Sequence, residues 1–352
     1  MPSPLPPVPD APPPELLPTL DGRRMGIQIY PLIDANELDQ MLRHAATLGM
    51  TWIKFQIQWS ELEPAPGQYS PQFDFYVLMI SRAVYQIGTR FNVLLSIVGA
   101  PEWARPPGAD PTMHAPPVDP QTYANFLRAF MSRFAPQDGI VDAVEIWNEP
   151  NLEREWSGAP ISGAAYMNLF RPAYAALREV APNVTIITAG LSPVGPGVPG
   201  SMSDRQFLQE MYAAGLASFP DVRLGVHPYG WGNAPGETCC IPGRGWGDNP
   251  VFFFLDTLNE YRAISQRNGH PVPMWITEFG WGTYQGIGPV GENLPAPAIV
   301  PFFDLVTPQE QAQYTVDALA LMQQPPLREF VEMAFLWNLN FAMVGDIATD
   351  PF

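Results

Sequence analysis

AVEIWNEPNLEREWSGAPISGAAYMNLFRPAYAALREVAPNVTIITAG, residues 143–190, decides the fold. It opens on an apolar run at 143–149, crosses a loop, runs at helical spacing over 162–180 and returns to a second apolar run at 184–190. Two strands separated by a helix cannot pair as a hairpin, so they lie parallel with the helix as crossover. The same alternation continues on both sides. Further strand-like runs are MGIQIY (25–30), WIKFQIQW (52–59), FNVLLSIVGA (91–100), VRLGVHPY (222–229), MWITEFG (274–280) and VEMAFLWNL (331–339). Helical stretches near 35–49, 73–88, 120–134, 204–218, 251–268 and 308–323 complete the set, with Asp119, Ser162 and Thr307 placed as N-caps. Eight strands and seven intervening helices without a hairpin make an α/β protein, a (β/α)8 TIM barrel, and the unit runs over 23–352. The chain beyond residue 339 is too short for a loop and a full eighth helix, so the barrel is expected to lack one. Residues 1–22 are dense in proline and read as an extended linker or arm.

In a parallel barrel the C-terminal ends of the strands converge on one mouth, where active sites lie. The fourth run ends on Glu149 in DAVEIWNEPN (142–151) and the seventh carries Glu278 in PMWITEFGW (273–281). Two carboxyls on rigid elements are what glycoside hydrolysis needs: one protonates the leaving oxygen, the other attacks the anomeric carbon or activates water. WNEP followed by TEFGW resembles the acid/base and nucleophile strands of clan A retaining glycoside hydrolases, most closely the family 39 and family 5 groups. The resemblance implies cleavage of β-linked oligo- or polysaccharides by double displacement, with Glu149 as acid and then base, Glu278 as nucleophile, and no cofactor. A catalytically silent carbohydrate-binding barrel and a transglycosidase are the alternatives, and the two intact glutamates weigh against the first.

The resemblance also gives roles to other residues. Asn148 is expected on the sugar 2-hydroxyl. His227 and Tyr229 in GVHPYG share one face by alternation, Tyr229 to orient the nucleophile and His227 to make a polar contact. Lys54 stands where related families often place an arginine beneath the nucleophile, with Gln56 and Gln58 on the same inward face; Glu145, by its parity deeper in strand four, reads as a partner for Lys54 or another inward polar group. Trp337 in FLWNLN matches the strand-eight tryptophan that floors the cleaved sugar's subsite. Trp103, Trp156, Trp231 and Trp281 are candidate stacking platforms or core residues, and Trp59 and Trp246 carry no assignment.

Composition excludes other classes. With 18 basic and 35 acidic residues the formal net charge is −17, which repels phosphate backbones and anionic headgroups, so nucleic acid and membrane insertion are not expected. The partner is a carbohydrate substrate, and the chain is read as a monomer. The four histidines, at 44, 114, 227 and 270, form no HExxH, so no metal is expected, and there is no GxSxG elbow. No apolar run reaches the roughly 18 residues of a membrane span, and the N-terminus lacks a signal-peptide pattern. Similar enzymes are often exported behind proline-rich linkers, so an extracellular or cell-surface protein with its signal removed is expected. Cys239 and Cys240 are adjacent, either two loop thiols or a vicinal disulfide.

Overall fold

The computed structural model describes residues 20–340 except 31–32, 86–87, 135–138, 243–246, 287, 289–290, 292 and 297–300. Eight parallel strands form one sheet in the order β5-β4-β3-β2-β1-β8-β7-β6. They are β1 (Met25–Gln28), β2 (Trp52–Gln58), β3 (Asn92–Val98), β4 (Ala143–Ile146), β5 (Thr185–Thr188), β6 (Leu224–Val226), β7 (Met274–Phe279) and β8 (Val331–Leu336). The seam between β5 and β6 is held by a parallel bridge of Ile187 with Arg223. There the Arg223 N–H donates to the Ile186 carbonyl at 2.9 Å and the Thr188 N–H to the Arg223 carbonyl at 3.0 Å. The barrel is therefore nearly closed.

The crossover helices are α1 (Ala35–Thr47), α3 (Pro71–Tyr85), α4 (Pro120–Met131), α5 (Gly163–Val180), α6 (Asp204–Ala213), α7 (Phe254–Arg267) and α8 (Pro308–Met322). A one-turn helix, α2 (Trp59–Leu62), directly follows β2 and was not expected from the sequence. Each expected cap is present: Asp119 accepts from the Gln121 N–H, Ser162 from the Ala165 N–H, and Thr307 forms a capping box with Glu310. The proline-dense residues 1–19 and the residues after 340, where an eighth helix was expected to be missing, lie outside the described residues. Residues 20–22, assigned to the arm by composition, already join the barrel, since the Asp21 N–H donates to Gln323 at 2.6 Å just after α8.

The barrel interior has two layers of different character. Its lower layer is apolar: Leu94, Ala143, Ile187, Trp275, Met333 and Phe335 cluster with Trp52 packed against them. Trp52 meets Trp275 edge to face at 5.0 Å between centroids. One step along the strands the layer becomes polar, with Lys54 on β2, Ser96 on β3, Glu145 on β4 and Thr277 on β7 all fully buried. Charges buried at that depth are tolerated only when paired. Lys54 Nζ lies 3.2 Å from Glu145 and 2.8 Å from Glu278. Burial works against the charge on Lys54, but Glu145 and then Glu278 outweigh it and raise its pKa above the ordinary lysine value. Lys54→Met is expected to strand both carboxylates and destabilise the fold by about 3–5 kcal/mol, read as a lower denaturant midpoint with unchanged slope.

Several strands stop short of the apolar runs that announced them. β4 ends at Ile146, because Trp147 at φ 74° and Glu149 at φ 38° adopt left-handed backbone that no strand accommodates. β6 ends at Val226, so His227 and Tyr229 stand beyond it. In β7 the register with β8 slips between Ile276 and Phe279, three residues on β7 matching two on β8. That bulge breaks alternation and lets both Thr277 and Glu278 face the interior.

Candidate active site

Glu149 and Glu278 come together at the C-terminal mouth. One oxygen of each and a ring nitrogen of His227 lie within 4.8 Å of one another, and all three residues are buried. The left-handed turn at Trp147–Glu149 is anchored by the Glu149 N–H, which donates to the Gly190 carbonyl at 3.0 Å. The Gly190 N–H in turn donates to Glu145 at 3.0 Å. A side chain at Gly190 would place its Cβ 2.2 Å from the His227 ring, so only glycine lets the β5 terminus approach this closely. Gly190→Ala is expected to push His227 off Glu149 and cost about 1–3 kcal/mol of stability, with turnover falling further than thermal stability alone explains.

His227 is fully buried and sits between two layers of the cluster. Its Nδ1 lies 3.1 Å from Glu149 Oε1 and its Nε2 lies 3.0 Å from Thr277 Oγ1. The Thr277 hydroxyl donates to Glu145 at 2.6 Å, so its oxygen is left to accept from His227 Nε2–H. With an ionised Glu149 accepting at Nδ1, the ring carries both protons. Burial opposes that charge, but Glu278 and then Glu149 raise the His227 pKa above its ordinary value. For Glu149, burial pushes the carboxyl up, but the Arg154 guanidinium and then His227 outweigh it and hold it down at about 2.

Glu278 is held on two sides. Lys54 Nζ donates to its Oε1 at 2.8 Å from below, and the Tyr229 hydroxyl donates to its Oε2 at 3.2 Å. Tyr229 therefore stands where the sequence reading put it. Lys54, expected beneath the nucleophile, is fully buried with its ammonium against Glu278. The expected Lys54–Glu145 pair is present. Asn148 is buried, and its Oδ1 finds no hydrogen-bond partner among the described residues.

A cavity of about 90 Å³ opens at the ends of β1, β2 and β8, with Trp337 surrounded by Gln28, Gln56, Gln58, Asn338 and Asn340. The side-chain oxygens of Gln28 and Gln56 are buried without a partner among the described residues. Three other tryptophans go elsewhere. Trp156 and Trp281 are packed into the core at 3% and 1% exposure, with their indole N–H groups donating to Pro160 and Asn233 carbonyls, so neither offers a face to a ligand. Trp103 is half-buried, edge-on to Trp59, and donates to the Glu63 carbonyl at 2.8 Å. For Trp156 and Trp281 the core alternative holds; loop position alone did not distinguish a platform from a brace. Trp246 lies outside the described residues. Cys239 and Cys240 form a vicinal disulfide in the loop after β6, and the Cys239 N–H is tied to Asp256 on α7 at 2.7 Å.

Arg154, five residues past Glu149, was missed by the sequence reading although NEPNLER displays it. Its guanidinium pairs with Glu149 Oε2. The trio Glu149, His227 and Glu278 has the spacing of a metal-binding group, yet Lys54 and Arg154 already neutralise its carboxylates. A cation entering there would meet two others.

No protein-family model matches the chain. Solved structures do. A family 39 glycoside hydrolase from the gut symbiont Bacteroides cellulosilyticus WH2 aligns with TM-score 0.61 and 21% identity over 92% of this chain and 58% of that one. An exo-β-1,4-mannosidase from Opitutaceae bacterium strain TAV5 aligns with TM-score 0.54 and 17% identity over 89% of this chain and 51% of its own. The GH53 catalytic domain of Ignisphaera aggregans aligns with TM-score 0.58 and 15% identity, over 91% and 86% of the two chains. The chain shares its barrel fold with these proteins. It spans little more than half the length of the first two. Among the described residues no helix is long and apolar enough to cross a membrane.

Proposed function

We propose that the chain is a retaining O-glycoside hydrolase that cleaves β-linked oligo- or polysaccharides by double displacement, acting outside the cell where such polymers are found. The observation that carries this reading is the approach of Glu149 and Glu278 oxygens to within 4.8 Å. Retaining enzymes hold their carboxyls about 5–5.5 Å apart, whereas inverting ones leave room for water at about 6.5–9.5 Å.

The two carboxyls have different environments, which suits different tasks. Glu278, with the Lys54 ammonium at 2.8 Å below it, is the nucleophile. It attacks the anomeric carbon as the glycosidic C–O bond breaks, and Glu149 gives its proton to the leaving oxygen. Water then enters, Glu149 takes its proton, and the glycosyl–Glu278 bond breaks with the electron pair returning to the carboxylate. The Tyr229 hydroxyl fixes the Glu278 rotamer through Oε2. Asn148, with its unpaired Oδ1, is available to the sugar 2-hydroxyl, and the unpaired Gln28 and Gln56 oxygens are acceptors for hydroxyls of a glycone over Trp337. Among the described residues the cavity is lined by amide side chains with Tyr30 and Trp337, none of them charged, which suits an uncharged sugar there.

The test is a panel of aryl β-glycosides and β-linked polysaccharides, with proton NMR of the first anomer released and with added sugar acceptors. Release of the β-anomer supports the reading. Release of the α-anomer points to inversion and contradicts it; transfer to the acceptor in preference to water points to a transglycosidase; binding without turnover points to a silent barrel.

A further inference from the structure

In the geometry described, each Glu149 oxygen faces a cationic partner, which favours the ionised carboxylate over the acid that a leaving group needs. Oε1 faces His227 Nδ1 at 3.1 Å and Oε2 is taken by Arg154. Withdrawal of one of the two favours the protonated carboxyl. His227 cannot withdraw, since it is fully buried and bonded on its other side to Thr277. Arg154 can. Its guanidinium pairs with Glu149, yet 63% of its side chain is open to solvent, while Glu149 keeps 4%. The open surface is what a ligand meets. Its backbone is meanwhile held, the Arg154 carbonyl accepting from the His114 N–H at 2.8 Å, and the next residue, Glu155, pairs with His114 at 2.7 Å. The arm is thus open to solvent while its backbone is fixed.

Charge decides when it moves. Three carboxylates, Glu145, Glu149 and Glu278, face the two permanent cations Lys54 and Arg154, and the third positive charge is the proton on His227. While Arg154 stays, the proton rests on the ring and Glu149 is ionised, in keeping with the low Glu149 and raised His227 values. Withdrawing Arg154 leaves the cluster one charge more negative, which favours uptake of one proton from solvent onto Glu149, with His227 keeping its own, and makes Glu149 an acid. The group able to hold a guanidinium away from a carboxylate is another anion with matching fork geometry.

We propose that the site is built for a β-glycoside whose leaving group carries an anion, a carboxylate or a sulfate, and that Arg154 is the residue that reads it. The formal charge of −17 does not prevent this, because repulsion between exposed charges is screened beyond about 8 Å at physiological salt while a direct contact is not. The anion belongs on the leaving-group side because Arg154 sits on the carboxyl that faces the departing oxygen, whereas the described residues lining the cavity around Trp337 are uncharged. This inference rests on the two-glutamate reading.

The experiment compares glycosides sharing one glycone and bearing 4-carbamoylphenyl, 4-carboxyphenyl or 4-sulfophenyl leaving groups, at neutral pH, with the wild type, Arg154→Gln and Arg154→Lys. The wild type is expected to favour an anionic leaving group by about tenfold or more in kcat/KM, the scale of one charge-assisted contact. Arg154→Gln is expected to bring that ratio to about one, to raise the rate on the neutral substrate, and to move the alkaline limb of its pH profile upward, while Arg154→Lys keeps part of the preference. The carboxylate and sulfonate arms tell which anion is read. Equal rates on all three substrates in the wild type, or a preference that survives Arg154→Gln, overturn the inference and leave the two-glutamate reading standing. Absence of turnover on every glycoside overturns both.

Discussion

Glu278→Gln is expected to abolish turnover of every glycoside tested, by about 10⁴-fold or more, without unfolding the protein. Gln keeps the shape: its amide oxygen can accept from Lys54 across the 2.8 Å contact, while its NH2 can donate to the Tyr229 hydroxyl oxygen across the 3.2 Å one, reversing that bond. What it loses is the lone pair able to form the glycosyl ester and the negative charge facing the developing oxocarbenium ion. Lys54 is then left with Glu145 as its remaining carboxylate, so a modest loss of stability is also expected. The check is turnover beside a thermal melt: a folded, inactive variant agrees with the assignment. Substantial activity in a folded Glu278→Gln protein would remove Glu278 from the chemistry.

Glu149→Ala is expected to behave differently, and the difference is the diagnostic. Loss of the acid should slow hydrolysis of substrates with poor leaving groups by about 10²–10⁴-fold. A strongly activated aryl glycoside needs no proton for its first step, so it should still load Glu278 and then stall, because water lacks its base. Azide, which needs no base, should restore turnover and yield a glycosyl azide of retained configuration. Azide also fits the void beside His227 and Arg154, both of which lose their anionic partner in this variant. Equal loss on activated and unactivated substrates, with no response to azide, would show that Glu149 is neither acid nor base.

How far these residues could be read in advance depended on the kind of constraint that placed them. The barrel was legible because each β-α-β unit carries its own periodicity, and parallel strands leave few ways to close. Lys54, Glu145 and their pairing followed from strand alternation, which holds within β2 and β4. Glu149 and Glu278 were found by motif, but not by parity: left-handed backbone carries one into place and a bulge the other. Trp156 and Trp281 stayed open between platform and core because a tryptophan in a mouth loop looks the same whether it faces solvent or braces the loop against the core. Arg154 went unnoticed because ion pairs across a turn obey no period, and only the fold shows that its arm doubles back over Glu149.

The central claim, that Glu278 forms a covalent bond to the sugar, has one direct test. The protein is incubated with a panel of 2-deoxy-2-fluoroglycosyl fluorides, which form the ester but hydrolyse slowly, and the digested product is mapped by mass spectrometry. The account predicts inactivation with one glycosyl unit added to the peptide PMWITEFGW (273–281), on Glu278. Label on a different carboxylate, or undiminished turnover of a β-glycoside substrate with no label at all, would contradict it.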